Sequence, residues 1–225
     1  MSKREQRGLP KDYRPNMEEA QKYFDIWNRL PNYTRQEDAL SSIFRGEESP
    51  YKKNDDPTSV TIKVSLLDDF YSTNIYRGFD MVDNILAITD FDKRLKDGDL
   101  SLVNNFMTIE YNHPVKGLLK KRCYSFATKY CSHHQPDKFP IFDSFVEKVL
   151  WDLQKQKPSI FNEPFKRDDL HDYEKYSNIL NLLRNKCGLH NLSYKELDRY
   201  LWQLGKRYFS PYIDSVNGKI DYNNV

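Results

Sequence analysis

The chain has 225 residues, a length that fits one large domain or two small domains in close contact. Lys and Arg (35) nearly balance Asp and Glu (33), so any surface for nucleic acid would have to be a local basic patch. No stretch approaches about 18 consecutive apolar residues, and the polar N-terminal sequence lacks the apolar core of a secretory signal. The three cysteines show no C-x-x-C spacing, which favours reduced thiols, so we expect a cytoplasmic protein with no membrane span.

The N-terminal part of the chain divides into an arm and a helical extension. Residues 1–16 are basic and contain proline, so we expect a flexible arm. Residues 17–50 follow as a helical extension, because apolar side chains recur there at helical spacing. Within this extension, Thr34 followed by Glu37 predicts a capping box that begins the second helix.

Residues 51–225 predict a helical domain. Pro57 fits the first turn of a helix, and Phe79 belongs to an apolar stripe that we expect to be buried. Residues 117–132 fit a hairpin of helices or one bent helix. Alternation with a period of two is limited to residues 59–65, which also fit a helix, so we predict a mainly α fold with little or no β structure.

A lysine and an aspartate in the stretch SFATKYCSHHQPDKFPIFDSF, residues 125–145, raise the main question about function. Lys129 stands among apolar and aromatic residues, where burial can free a nucleophilic amine. The alternative is a half-buried helix from which the ammonium group reaches solvent. Asp143 begins the next predicted helix, where free N–H groups favour a carboxylate, so it fits an ordinary helix cap as well as a catalytic group. Ser144 and Glu147 have capping-box spacing.

Two further groups of side chains near this stretch are candidates for binding. Cys131, His133 and His134 offer metal ligands, but no second half-site with zinc spacing appears, so we predict no metal site. The two histidines would instead line a groove or bind phosphate. A basic cluster precedes the stretch and predicts a phosphate-binding face, with a solvated helix face as the alternative. Its members are Lys116, Lys120, Lys121 and Arg122.

The stretch resembles the helix-hairpin-helix DNA glycosylases, and among them the 8-oxoguanine glycosylase-like bacterial branch. That family has a lysine at the start of the hairpin's second helix, and an aspartate that follows P-[apolar]-[apolar] and caps the next helix. Lys129, after Thr128, and the run Pro140–Asp143 match these positions. The resemblance covers residues 125–149 and extends loosely over residues 55–205. The family's hairpin glycines, in L-P-G-[IV]-G, are absent from the equivalent residues KKRCYSFAT.

The resemblance implies that a damaged or modified base is flipped out of duplex DNA and removed. Asp143 would stabilise the positive charge that develops on the sugar, and Lys129 would attack C1′ and form a Schiff base. No metal or organic cofactor is implied, and we expect a monomer. The implied DNA-binding residues are Lys116, Lys120, Lys121, Arg122, Ser125, Thr128, His133 and His134.

Two other functions remain open from the sequence. The absent hairpin glycines and the near-neutral charge also fit a catalytically inactive nucleic-acid-binding module. They equally fit a helical interaction protein on the same scaffold.

Overall fold

The computed structural model describes residues 8–210, and these residues are mainly helical, which confirms the predicted fold class. The first elements in chain order are α1 (Met17–Trp27), α2 (Pro31–Arg45), α3 (Pro57–Tyr71), α4 (Gly78–Leu86), α5 (Phe91–Asp97) and α6 (Ser101–Phe106). The remaining elements are β1 (Thr108–His113), β2 (Gly117–Arg122), α7 (Tyr124–His134), α8 (Ser144–Leu153), a 3-10 helix (Arg167–His171), α9 (Tyr173–Lys186) and α10 (Tyr194–Phe209). Between residues 8 and 210, no helix is both long enough and apolar enough to cross a membrane.

The chain forms two compact units. The central unit is Arg35–Phe142, and the terminal unit consists of Met1–Thr34 together with Asp143–Val225. These bounds differ from the boundaries at residues 16 and 50 that composition suggested. Residues 1–7 of the predicted arm lie outside the described residues.

The central unit is built around an aromatic core. α3 packs against α4 and α7, and α6 packs against α7. Tyr130 of α7 is fully buried, and its ring lies 5.4 Å from that of Phe44 and 5.7 Å from that of Phe126. The phenol group of Tyr130 donates a 2.6 Å hydrogen bond to Asn54 Oδ1, so the buried hydroxyl group has an acceptor.

In the terminal unit, α10 packs against both α1 and α8. Part of the predicted arm is bound to α8, because the Leu9 N–H donates to Asp152 Oδ2 at 2.8 Å. α8 and α10 approach closely at Gly205, where an added Cβ atom would lie 2.6 Å from the Cβ atom of Phe145. The spacing of Ser193 and Glu196 in the sequence predicts a capping box, and the structure shows this capping box at the start of α10.

The predicted start of the second helix is wrong. α2 begins at Pro31 rather than at residue 35, because proline is tolerated in the first turn, where an N–H would have no helical acceptor. Thr34 therefore lies inside the helix, and its Oγ1 donates to the carbonyl oxygen of Pro31 at 3.0 Å.

The predicted helical structure of residues 117–122 is also wrong. These residues form β2, which pairs antiparallel with β1 so that His113 lies opposite Gly117. The two-stranded sheet is the extent of the β structure within the described residues. α7 then follows β2 after one residue, so the segment predicted as a helical hairpin is a strand followed by a helix.

Phe79 was expected in a buried stripe, and the structure places it at the surface. Its side chain lies in the first turn of α4 and is 76% exposed. The buried side chains of α4 are instead those of Met81, Val82 and Ile85.

Candidate active site

Lys129 is buried within α7 and only 3% exposed. Its Nζ donates to Ser125 Oγ at 2.5 Å, one helical turn earlier, and to the carbonyl oxygen of Phe142 at 3.4 Å. The ammonium group also lies 5.1 Å from the centre of the Tyr71 ring. A hydroxyl group, a carbonyl group and an aromatic face therefore hold the amine in one position.

The first turn of α7 also fixes the residue that precedes Asp143. Thr128 Oγ1 accepts a 3.0 Å hydrogen bond from the Phe142 N–H, and Ser125 Oγ donates to the Phe142 carbonyl oxygen at 3.0 Å. The side chain of Thr128 is completely buried. Ser125 and Thr128, which the resemblance assigned to DNA binding, thus tie α7 to the end of the central unit.

Asp143 is the N-cap residue of α8, in the terminal unit. Its backbone is extended, and its Oδ1 accepts a 2.8 Å hydrogen bond from the Phe145 N–H. The predicted capping box at Ser144 is wrong, since Ser144 is the first helical residue and Glu147 points elsewhere. Glu147 is 8% exposed, and its Oε1 accepts from Arg167 Nε at 2.6 Å and lies 3.5 Å from His171 Nε2.

Asp143 precedes α8 with an extended backbone, and Glu147 lies in the first turn of the helix. The start of α8 thus carries a half-buried carboxylate followed by a buried one. Lys129 belongs to the central unit and Asp143 to the terminal unit, and the Phe142–Asp143 peptide bond joins the two. That the amine and the carboxylate open on a common cleft stays a prediction.

The histidines at the end of α7 are buried rather than presented to solvent. His133 is 4% exposed, and its Nε2 lies 3.0 Å from the Tyr71 hydroxyl oxygen. His134 is 7% exposed and packs against Phe44, and burial holds its pKa well below the usual value. In the part of the chain that the structure describes, no three His, Cys, Asp or Glu side chains form a group that could hold a metal ion.

The predicted basic cluster lies on the β1–β2 hairpin. Lys120 pairs with Glu110 across the two strands, and Lys121 donates to the carbonyl oxygens of Asn74 and Ile75. Arg122 lies 4.8 Å from the centre of the Tyr124 ring, while Lys116 occupies the exposed turn. A strand rather than a helix presents these residues, so Lys121 points to the opposite face of the hairpin from Lys120 and Arg122, and a single phosphate-binding face stays a prediction.

Lys63 is a second buried lysine, and it was not predicted. It is fully buried in α3, and its Nζ donates to the carbonyl oxygen of Lys53 at 2.6 Å and to Asn54 Oδ1 at 2.7 Å. Burial lowers its pKa to about 8. The sequence does contain a signal for this burial, because Lys63 lies at helical spacing from the apolar residues Val60, Val64 and Leu67.

Comparison with known proteins shows the family of the chain. The family HI_0787_N, described as an N-terminal domain, matches residues 19–138, which is more than half of the chain, and the chain belongs to that family. A protein of Haemophilus influenzae with the name "Uncharacterized protein" is 44% identical over 146 residues, or 65% of this chain and 66% of the relative. The match therefore spans just under two thirds of the relative's length. No solved structure matches the chain.

Proposed function

We propose that the protein is a DNA glycosylase-like enzyme that removes a damaged or modified base from duplex DNA in the cytoplasm. The observation that carries the proposal is the environment of Lys129. A lysine that is 3% exposed is held beside the carbonyl group of Phe142, and the next residue is a helix-capping aspartate. Base removal by a nucleophilic lysine requires an amine and a carboxylate that act on the same sugar, and we propose that Lys129 and Asp143 supply these two groups.

The reaction would begin when the base is flipped out of the helix. The Lys129 ammonium group first gives up a proton to water, and the free amine attacks C1′ of the sugar as the bond from C1′ to the base nitrogen breaks. The base leaves with that electron pair and takes up a proton. The attached amine loses a proton, the bond from C1′ to O4′ breaks, O4′ takes up a proton, and a Schiff base forms between Nζ and C1′. Asp143 stabilises the positive charge on the sugar in the transition state and assists these proton transfers.

Borohydride trapping tests this proposal, because the reductant converts the Schiff base into a stable covalent adduct. The protein is incubated with duplexes that contain 8-oxoguanine, uracil or an abasic site, and the products are separated on a denaturing gel. We expect an adduct with the unsubstituted protein, none with Lys129→Met, and a strongly reduced yield with Asp143→Asn. Lys63→Met is the matched control, because it also replaces a buried lysine of the central unit. Absence of an adduct on every duplex would refute the proposal.

A second candidate function is nucleic-acid binding without catalysis, and one observation favours it. The ammonium group of Lys129 contacts Ser125 Oγ and the Phe142 carbonyl oxygen, so the lysine can serve as a structural tie between α7 and the end of the central unit. DNA binding in a gel-shift experiment, without a trapped adduct and with lower stability of Lys129→Met, would support this alternative.

A further inference from the structure

Several exposed apolar side chains belong to two segments of the central unit. Six large hydrophobic residues are markedly exposed among residues 8–210, and four of them lie in two segments. Tyr76 and Phe79 are 81% and 76% exposed, while Val115 and Leu118 on the hairpin are 87% and 59% exposed. Scattered exposed apolar residues are normal, but a concentration of them indicates an interaction site.

The segment that presents Tyr76 is firmly held. Asp68 Oδ1 accepts hydrogen bonds from Thr73 Oγ1 at 2.5 Å and from the Ile75 N–H at 3.1 Å. Lys121 of β2 donates to the carbonyl oxygens of Asn74 and Ile75, so the hairpin and this segment are connected. Tyr76 itself has a left-handed backbone with a φ of 58°, which is unfavourable for a residue other than glycine. The structure thus holds an exposed ring in a strained position.

Basic groups lie directly beside these rings. Lys121 Nζ is 4.2 Å from the centre of the Tyr76 ring, and Arg77 Cζ is 4.8 Å from the centre of the Tyr111 ring. Carboxylates are also present: Arg77 pairs with Asp80 at 2.7 Å, Lys120 pairs with Glu110, and Asp68 lies in the same segment as Tyr76. The hairpin nevertheless has a surplus of positive charge. Its basic residues are Lys116, Lys120, Lys121 and Arg122, against the single acidic residue Glu110.

We infer that Tyr76 and Phe79 form a platform on which unpaired DNA bases stack, while the hairpin cations contact the adjoining phosphates. Aromatic rings beside basic side chains are the usual means of binding single strands, because every base has a face that can stack. The inference rests on the proposed function in taking DNA as the ligand, and it adds the substrate class: DNA with an unpaired stretch rather than fully paired duplex.

The surplus positive charge of the hairpin favours nucleic acid over a protein partner. Lysine is depleted in the buried cores of protein–protein interfaces, whereas here Lys121 contacts the most exposed tyrosine of the segment. Phosphates attract the same cations that a protein interface would have to desolvate.

Fluorescence anisotropy with a labelled single strand of about 20 nucleotides, and with the matching duplex, tests the inference. We expect Tyr76→Ser to weaken single-strand binding about tenfold, within the range for loss of one stacked base, and to weaken duplex binding much less. Tyr76→Phe should retain the affinity because it keeps the ring. Leu182→Ser is the matched control, since Leu182 is an exposed apolar residue of α9, at 47%.

The outcomes separate this inference from the proposed function. If a borohydride adduct forms but Tyr76→Ser and Phe79→Ser bind single strands like the unsubstituted protein, the stacking platform is refuted and the enzyme proposal stands. If no adduct forms but binding depends on the two rings, the platform is supported and the enzyme proposal fails. Absence of binding to either DNA would refute the platform. Equal losses with Leu182→Ser would also refute it, because the effect would not be specific to this surface.

Discussion

Lys129 Nζ lies 2.5 Å from the Oγ atom of Ser125, one turn earlier in α7. Both residues also bond to the carbonyl oxygen of Phe142, Ser125 at 3.0 Å and Lys129 at 3.4 Å. The start of α7 is therefore fastened to the residue that precedes Asp143. The amine is thereby held in one position, and this fixed position is the starting point of the proposed chemistry.

Substitutions at Asp143 should separate its capping role from its charge. Asparagine caps helices about as well as aspartate, so Asp143→Asn should change the free energy of unfolding by less than about 0.5 kcal/mol. The loss of charge should reduce base excision at least about 100-fold, if the carboxylate stabilises the transition state. Urea unfolding and single-turnover excision measure the two effects.

Asp56 provides the matched control for this experiment. It is the N-cap residue of α3, and its Oδ1 accepts a 3.0 Å hydrogen bond from the Ser59 N–H. Asp56→Asn should leave both stability and excision unchanged, and Asp56→Ala should lower the stability, because the cap is lost, with excision retained. Equal excision by Asp143→Asn and Asp56→Asn would remove Asp143 from the mechanism.

Gly205 should be intolerant of any side chain. An added Cβ atom would lie 2.6 Å from the Cβ atom and 2.8 Å from the carbonyl oxygen of Phe145, so α8 and α10 would have to separate. We expect Gly205→Ala to lower the free energy of unfolding by about 2 kcal/mol, although alanine favours the helix. Gly78→Ala, at the start of α4, is the control, because its Cβ atom would meet nothing closer than 4.0 Å. Equal stability of the two variants in urea would contradict the close packing described here.

Lys63 should make stability depend on pH in the alkaline range. Burial lowers its pKa from 10.5 to about 8, so below pH 8 the lysine is protonated in both the folded and the unfolded protein. As the pH rises from about 8 to 10.5, the folded protein loses this proton first. The unfolded state then binds more protons, and the free energy of unfolding increases, by roughly 3 kcal/mol at most.

The measurement compares urea unfolding of the unsubstituted protein and Lys63→Met between pH 7 and pH 10. The difference between their free energies of unfolding should change with pH in favour of the unsubstituted protein. Lys53→Met should show no such change, because the Lys53 side chain is 70% exposed. Parallel pH profiles for the unsubstituted protein and Lys63→Met would contradict the prediction.

Local signals in the sequence predicted several helix boundaries correctly. Asp143 caps α8, Pro57 lies in the first turn of α3, and Ser193 with Glu196 forms a capping box. Each depends on hydrogen bonds or backbone angles within a few residues, so the neighbouring sequence suffices to predict it.

The β-hairpin was missed because its sequence also fits a helix. Leu118 and Leu119 stand next to each other among basic residues, a pattern that resembles one face of an amphipathic helix. The strand becomes stable only through pairing with Thr108–His113, where buried Ile109 lies opposite Lys121. Pairing of this kind depends on residues that are distant in sequence, and such contacts override local propensity.

The burial of Lys129 could not be predicted from the sequence either. The spacing of apolar residues left open a buried amine or an ammonium group that reaches solvent. Whether the lysine is buried or reaches solvent depends on its contacts with Tyr71 of α3 and with Phe142, which tertiary folding brings to α7.

The central claim, that the amine of Lys129 attacks the sugar, is tested most directly by locating the covalent bond. The protein is trapped with borohydride on a duplex that contains an abasic site, digested with protease and nuclease, and sequenced by tandem mass spectrometry. We expect a sugar remnant on Nζ of Lys129. A remnant on Lys63 or another lysine would contradict it, and so would an unmodified Lys129 peptide recovered from a trapped complex.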